Sequence, residues 1–132
     1  MRLIEKIKYL LVLVISLLAF SFGAQSQVPE EILLSLKSGN AKELSEYFNQ
    51  NVELVVIEND NVYSKAQAQQ IVTNFFDGHK PESFNVIHQG GKEGAKYVIG
   101  NLKTNNGSFR VYFLLKKNKE KDYIHQLRIE KQ

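Results

Sequence analysis

The sequence predicts an α+β domain in which three short N-terminal helices pack on one face of a strongly bent, mainly antiparallel sheet. Two observations carry this expectation. Between residues 28 and 80 apolar residues recur at helical spacing behind capping signals, interrupted by one β-branched run from Val52 to Ile57. From Phe84 onward they alternate instead, and Asn106-Gly107 marks a tight hairpin within that alternation.

Residues 1–26 read as a signal peptide. Arg2, Lys6 and Lys8 form a basic start, Tyr9 to Phe22 an apolar stretch, and Ala24-Gln25-Ser26 a small–x–small cleavage site. Ser16, Ser21 and Gly23 break the apolar stretch, which falls short of the roughly 20 residues of a comfortable membrane span. Retention as an anchor is the alternative. No Cys follows it, so lipid attachment at a processed cysteine is excluded. The expectation is a periplasmic or secreted protein, touching the membrane only transiently through its leader.

Residues 27–132 then form a single domain. Val28-Pro29 opens the first helix, Ile32, Leu33 and Leu36 give it an apolar side, and Ser38-Gly39 stops it. Asn40 caps the second helix, with Glu43 placed as in a capping box. Its apolar stripe of Ala41, Leu44, Tyr47 and Phe48 carries it to Asn49-Gln50-Asn51. Val52 to Ile57 is a strand closed by Glu58-Asn59-Asp60-Asn61. Ser64 and Gln67 box the third helix, which buries Ala68, Ile71, Val72, Phe75 and Phe76 and ends at Asp77-Gly78 and Pro81.

The remaining chain is a four-strand meander. A turn at Asn106-Gly107 sets Thr104 opposite Phe109 and Leu102 opposite Val111, and puts Gly100, Phe113, Val98 and Leu115 on the same face. The preceding hairpin sets His88 opposite Val98 and Phe84 opposite Leu102. The last, with its tip at Lys117 to Lys121, sets Tyr123 opposite Leu115 and His125 opposite Phe113. On this register the interior face holds no Asp and no Glu.

Composition narrows the function classes. Without residues 1–26, 106 residues remain, Lys plus Arg falling from 17 to 14 and Asp plus Glu from 14 to 13, a net charge of +1. A mixed-sign, near-neutral surface offers no footprint for nucleic acid. The absence of Cys removes disulfides, thiolate nucleophiles and Cys-based metal sites together.

The helix running into Val52-Glu53-Leu54-Val55-Val56, with Tyr63-Ser64-Lys65 opening the next, resembles the nuclear transport factor 2-like superfamily, the cone-shaped, cystatin-like fold of ketosteroid isomerase. The run His88 to Tyr97 and the ending Tyr123 to Glu130 look like a family of small exported bacterial proteins of unknown function. This resemblance spans residues 28–131. It implies a fold and frequent dimerisation through the sheet, but no activity.

Candidate sites follow from the two faces. Isomerases of this fold use a cavity carboxylate as general base. Nothing in these strands matches that pattern, so no catalytic residue, cofactor or metal is assigned. His88 and His125 are the polar intruders on the apolar face. As a metal or proton-transfer pair they would lie three strands apart, about 14 Å at the usual strand spacing, with no third ligand. A ligand pocket is the stronger candidate. Gly100 leaves a gap opposite Val86 and Phe113, with Phe75 lining it and Tyr47, Tyr123, His88 and His125 supplying polar groups; the alternative is that Phe75 or Phe76 simply fills the gap. The opposite face carries Tyr97, Ile99, Tyr112, Leu114 and Ile124, an apolar patch with a charged rim expected to form a homodimer. Lys116, Lys117, Lys119 and Lys121 cluster at a hairpin tip, where they discourage edge-to-edge aggregation. The leading expectation is an exported, non-catalytic module binding a small ligand or an envelope protein. The alternative is a small lyase, isomerase or hydrolase using His88 or His125 with Tyr123.

Overall fold

The computed structural model describes residues 2–21 and 27–132. The expected cleavage site at residues 24–26 lies outside them. Helix α1 spans Arg2–Ser21. Among the described residues no helix is long and apolar enough to cross a membrane.

Helix α2 (Glu30–Ser38) buries Ile32 and Leu36 and ends at Gly39. Gly39 has φ +71°, the left-handed conformation glycine adopts without a steric penalty. Asn40 caps α3 (Ala41–Ser45) by accepting a bond from the Glu43 amide at 3.1 Å. The helix stops there. Tyr47 and Phe48 were expected on its stripe, but Phe48 instead opens strand β1 (Phe48–Val56), fully within the core. Alternate burial of Val52, Leu54 and Val56 continues that strand, so the period of two outweighs the i, i+3, i+4 spacing of a helix only one turn long.

A strand absent from the sequence reading follows. β2 (Asn59–Ser64) pairs antiparallel with β1, turning at Ile57-Glu58. Its Asn-Asp-Asn start resembles a loop, and its residues are mostly exposed, so neither propensity nor burial announces it. Ser64 then forms a full capping box with Gln67 at the start of α4 (Lys65–Gly78), which buries Ala68, Val72, Phe75 and Phe76.

Strands β3 (Pro81–Lys92), β4 (Ala95–Thr104), β5 (Gly107–Asn118) and β6 (Lys121–Lys131) complete a six-stranded sheet ordered β2-β1-β6-β5-β4-β3. Among the described residues only β1 and β6 run parallel. The helices lie on one face of this curved sheet, around a core of Leu36, Leu44, Phe48, Val72, Val98, Leu102, Phe113 and Leu127.

The register differs from expectation at three places. The β4–β5 turn is Asn105-Asn106, pairing Leu102 with Phe109 and Val98 with Phe113. That shift of two residues keeps every side chain on its expected face. The other two are β-bulges, which reverse the alternation. One lies between Val86 and His88, so His88 pairs with Ile99 instead of Val98. The other lies opposite Leu114 and Leu115 and leaves His125 as the extra residue. On its far side Phe113 pairs with Leu127, and on its near side Leu115 pairs with Ile124. Ile124 is therefore fully buried in the core rather than on the outer face. His88, Tyr123 and His125 move the other way.

Candidate functional site

The hollow that was to hold a ligand is filled. A Cβ on Gly100 would run into the Phe84 ring and come within 2.8 Å of the Asn85 carbonyl oxygen, so Phe84, from the neighbouring strand, occupies the gap. Phe113 is fully buried and Phe75 nearly so. Phe75 packs edge-on to Phe109 at 5.0 Å between ring centres. Tyr47 is half-buried against the core, and burial, followed by the Glu31 carboxylate, pushes its phenol above the ordinary value.

The interior does carry an acid at its rim. Asp122 shares the inner side with Leu115 and Ile124 once the bulge is counted, and it lies 3.9 Å from the ammonium of Lys96. Lys96 is 7 % exposed and also donates to the Gln27 carbonyl at 3.3 Å. Asp122 therefore faces a cation, and Lys96 spends its donors where the chain enters the domain.

The outer face gathers the displaced side chains. His88 Nε2 lies 3.0 Å from the Tyr97 hydroxyl, and Tyr97 stands 6.3 Å from Tyr112 between ring centres. Gly90 makes room for this ring, since a Cβ there would sit 2.8 Å from the Tyr97 oxygen. Ile99 pairs with Tyr112, and Tyr97 with Leu114. All four are half-buried. Around them stand Lys103, Arg110 and Arg128 with Glu53 and Glu130, Glu130 accepting from Arg128 Nε at 2.9 Å and Glu53 from Gln126. Of the expected patch, only Ile124 is missing. His125 lines a shallow groove of about 220 Å³ with Asn51, Leu114 and Lys116. Burial first, then the Lys116 charge, lowers its basicity.

Among the described residues no group of three His, Asp or Glu is placed to hold a metal ion. His88 and His125 sit on the same face, but each is occupied by its own neighbours. The third histidine, His79, stands between α4 and Pro81. It lines a groove of about 440 Å³ at the end of the sheet with Ile57, Phe109 and Glu130. Its position just after a helix, before Lys80-Pro81, was the available signal.

A comparison with curated proteins returns no match. Solved structures do match. A DUF4783 family protein from Bacteroides uniformis ATCC 8492 is 40% identical with a TM-score of 0.76, covering 80% of this chain and 98% of its own. One from Bacteroides ovatus ATCC 8483 is 37% identical with a TM-score of 0.77, covering 82% and 98%. A nuclear transport factor 2 design shares the fold at 14% identity and a TM-score of 0.62, over 76% of this chain and 90% of the design. The family profile described as Domain of unknown function (DUF4783) matches residues 29–130, the whole helix-and-sheet domain, and this chain belongs to that family.

Proposed function

We propose that this chain is an exported, non-catalytic interaction module that works as a homodimer through the outer face of its sheet. One observation carries this reading: Tyr97, Ile99, Tyr112 and Leu114 lie side by side on the adjacent strands β4 and β5, apolar and half-exposed, inside a rim of both charge signs. Tyrosine-rich centres with polar rims are what interfaces are built from, because the rings bury large area at little entropic cost. A two-fold axis through this patch can set the Arg110 and Lys103 side of one copy against the Glu53 side of the other. The occupant is thus a second copy of this chain. The filled hollow argues against chemistry inside the cone, where isomerases of this fold place theirs.

Sedimentation velocity of the full chain tests this. The wild type is expected as a dimer and Leu114→Asp as a monomer with an unchanged circular-dichroism spectrum. A monomeric wild type, or an oligomer that survives the substitution, ends the proposal.

A further inference from the structure

The geometry points to the groove beside His79 as a binding site for a small neutral aromatic molecule carrying a hydroxyl donor. His79 follows the last turn of α4, and three contacts hold its half-buried ring. It stacks on Phe75, with ring centres 4.5 Å apart and planes 12° from parallel. It meets Phe109 edge-on at 5.1 Å. Nδ1 lies 3.0 Å from the Phe75 carbonyl oxygen, which can only accept, so Nδ1 carries the proton. With the proton on Nδ1, the uncharged form of the ring presents its Nε2 lone pair as an acceptor.

The walls of the groove are fixed too. The Lys80 amide donates to Asn105 Oδ1 at 2.9 Å and the Asn105 amide to the Lys80 carbonyl at 3.0 Å. This pair ties the loop that carries His79 to the β4–β5 turn, which also supplies the groove's Asn106. On the other side Val55 and Ile57 add hydrocarbon. Ile57 is 53% exposed and has φ +55°, a left-handed conformation that a β-branched residue rarely adopts. Glycine or asparagine would suit that turn better, so the chain holds an exposed apolar side chain at the rim against its local preference. Strain of this kind gathers at ligand-binding positions.

These features define the ligand's chemistry. A volume of about 440 Å³ falls within the usual range for small-molecule pockets. Glu130, which accepts from Arg128 Nε, and Lys131 put both charge signs in the lining, which favours no net charge. Val55, Ile57 and the rings favour an apolar planar body. The free acceptor at Nε2 asks for a donor. Apart from Glu130, which also stands in the rim of the outer face, the lining lies at the end of the sheet, away from the dimer patch.

The experiment is a titration of the isotopically labelled full chain with p-cresol and, separately, with toluene, followed by nuclear magnetic resonance. p-Cresol is expected to move the His79 Nε2 resonance and the Ile57 methyls, with toluene binding at least tenfold more weakly. His79→Phe keeps a ring on Phe75 and should make the two probes equal. Ile57→Gly should raise the melting temperature while weakening p-cresol. If p-cresol leaves these resonances unmoved, binds no better than toluene, or keeps its advantage in His79→Phe, the proposal is wrong. Should His79→Phe fail to fold, the wild-type titration alone decides.

Discussion

The two faces of strands β4 and β5 contrast residue by residue. Inward, Val98, Leu102, Val111, Phe113 and Leu115 are sealed beneath the helices. Outward, the residues between them, Tyr97, Ile99, Tyr112 and Leu114, are half-buried and bordered by charge. Both faces are apolar at their centres, yet they do different work. The inner face is closed by hydrocarbon from the same chain and fixes the fold. The outer face uses rings with polar tips, which tolerate both water and a partner. In this molecule apolar character alone does not distinguish the two faces; the manner of closure does.

Substitutions on the two faces should separate accordingly. Phe113→Ala opens a cavity where no side chain can follow and should cost about 3–5 kcal/mol in denaturant unfolding. Tyr112→Ala, one residue away, should cost under about 1 kcal/mol in the monomer and act on self-association instead. Equal losses would dissolve the contrast. Gly100→Ala sharpens it from the opposite direction by overpacking the inner face against Phe84 and Asn85. A loss of about 1–3 kcal/mol is expected, and a neutral outcome would mean the Phe84 ring yields freely. Ser64→Ala touches neither face. Losing its bond to the Gln67 amide should cost about 1 kcal/mol by thermal melting.

The smallest effect is a pH dependence on the outer face. Folding lowers the pKa of His125 below its ordinary 6.5, so below that pH the unfolded chain takes up the proton more readily. Stability is therefore full above pH 6.5 and falls as the solution is acidified through the folded value. Replacing His125 by Gln should flatten that part of the stability profile. A decline of the same size in the variant would assign it to other groups.

The places where sequence reasoning failed are local and have one cause. Alternation assigned faces correctly along all of β4 and β5, although the turn lay one residue from its expected place, because that moves the pairing by two and a shift of two preserves facing. It failed for His88, Tyr123, Ile124 and His125, each beside a bulge. A signal existed in β6. Ile124 and Leu127 are three residues apart, so no regular strand can bury both, and burying both requires an extra residue between them. In β3 no such conflict stands in the sequence. The missing side chain at Gly100 is visible in the sequence, but the occupant of its space, Phe84, depends on ring placement across strands. The groove at His79 was not legible, since it is assembled from residues 55, 57, 79, 106, 109, 130 and 131.

By itself the sequence determined the α+β class, the capped helices, the meander and the alternation that separates inner from outer. These rest on periodicity and capping, which act over a few neighbouring residues. The tertiary structure alone decided where the bulges fall, that the hollow closes, that Asp122 meets Lys96, and which tautomer His79 holds. Those outcomes come from competition among distant groups for the same buried space and the same hydrogen bonds. No short window of sequence contains both competitors.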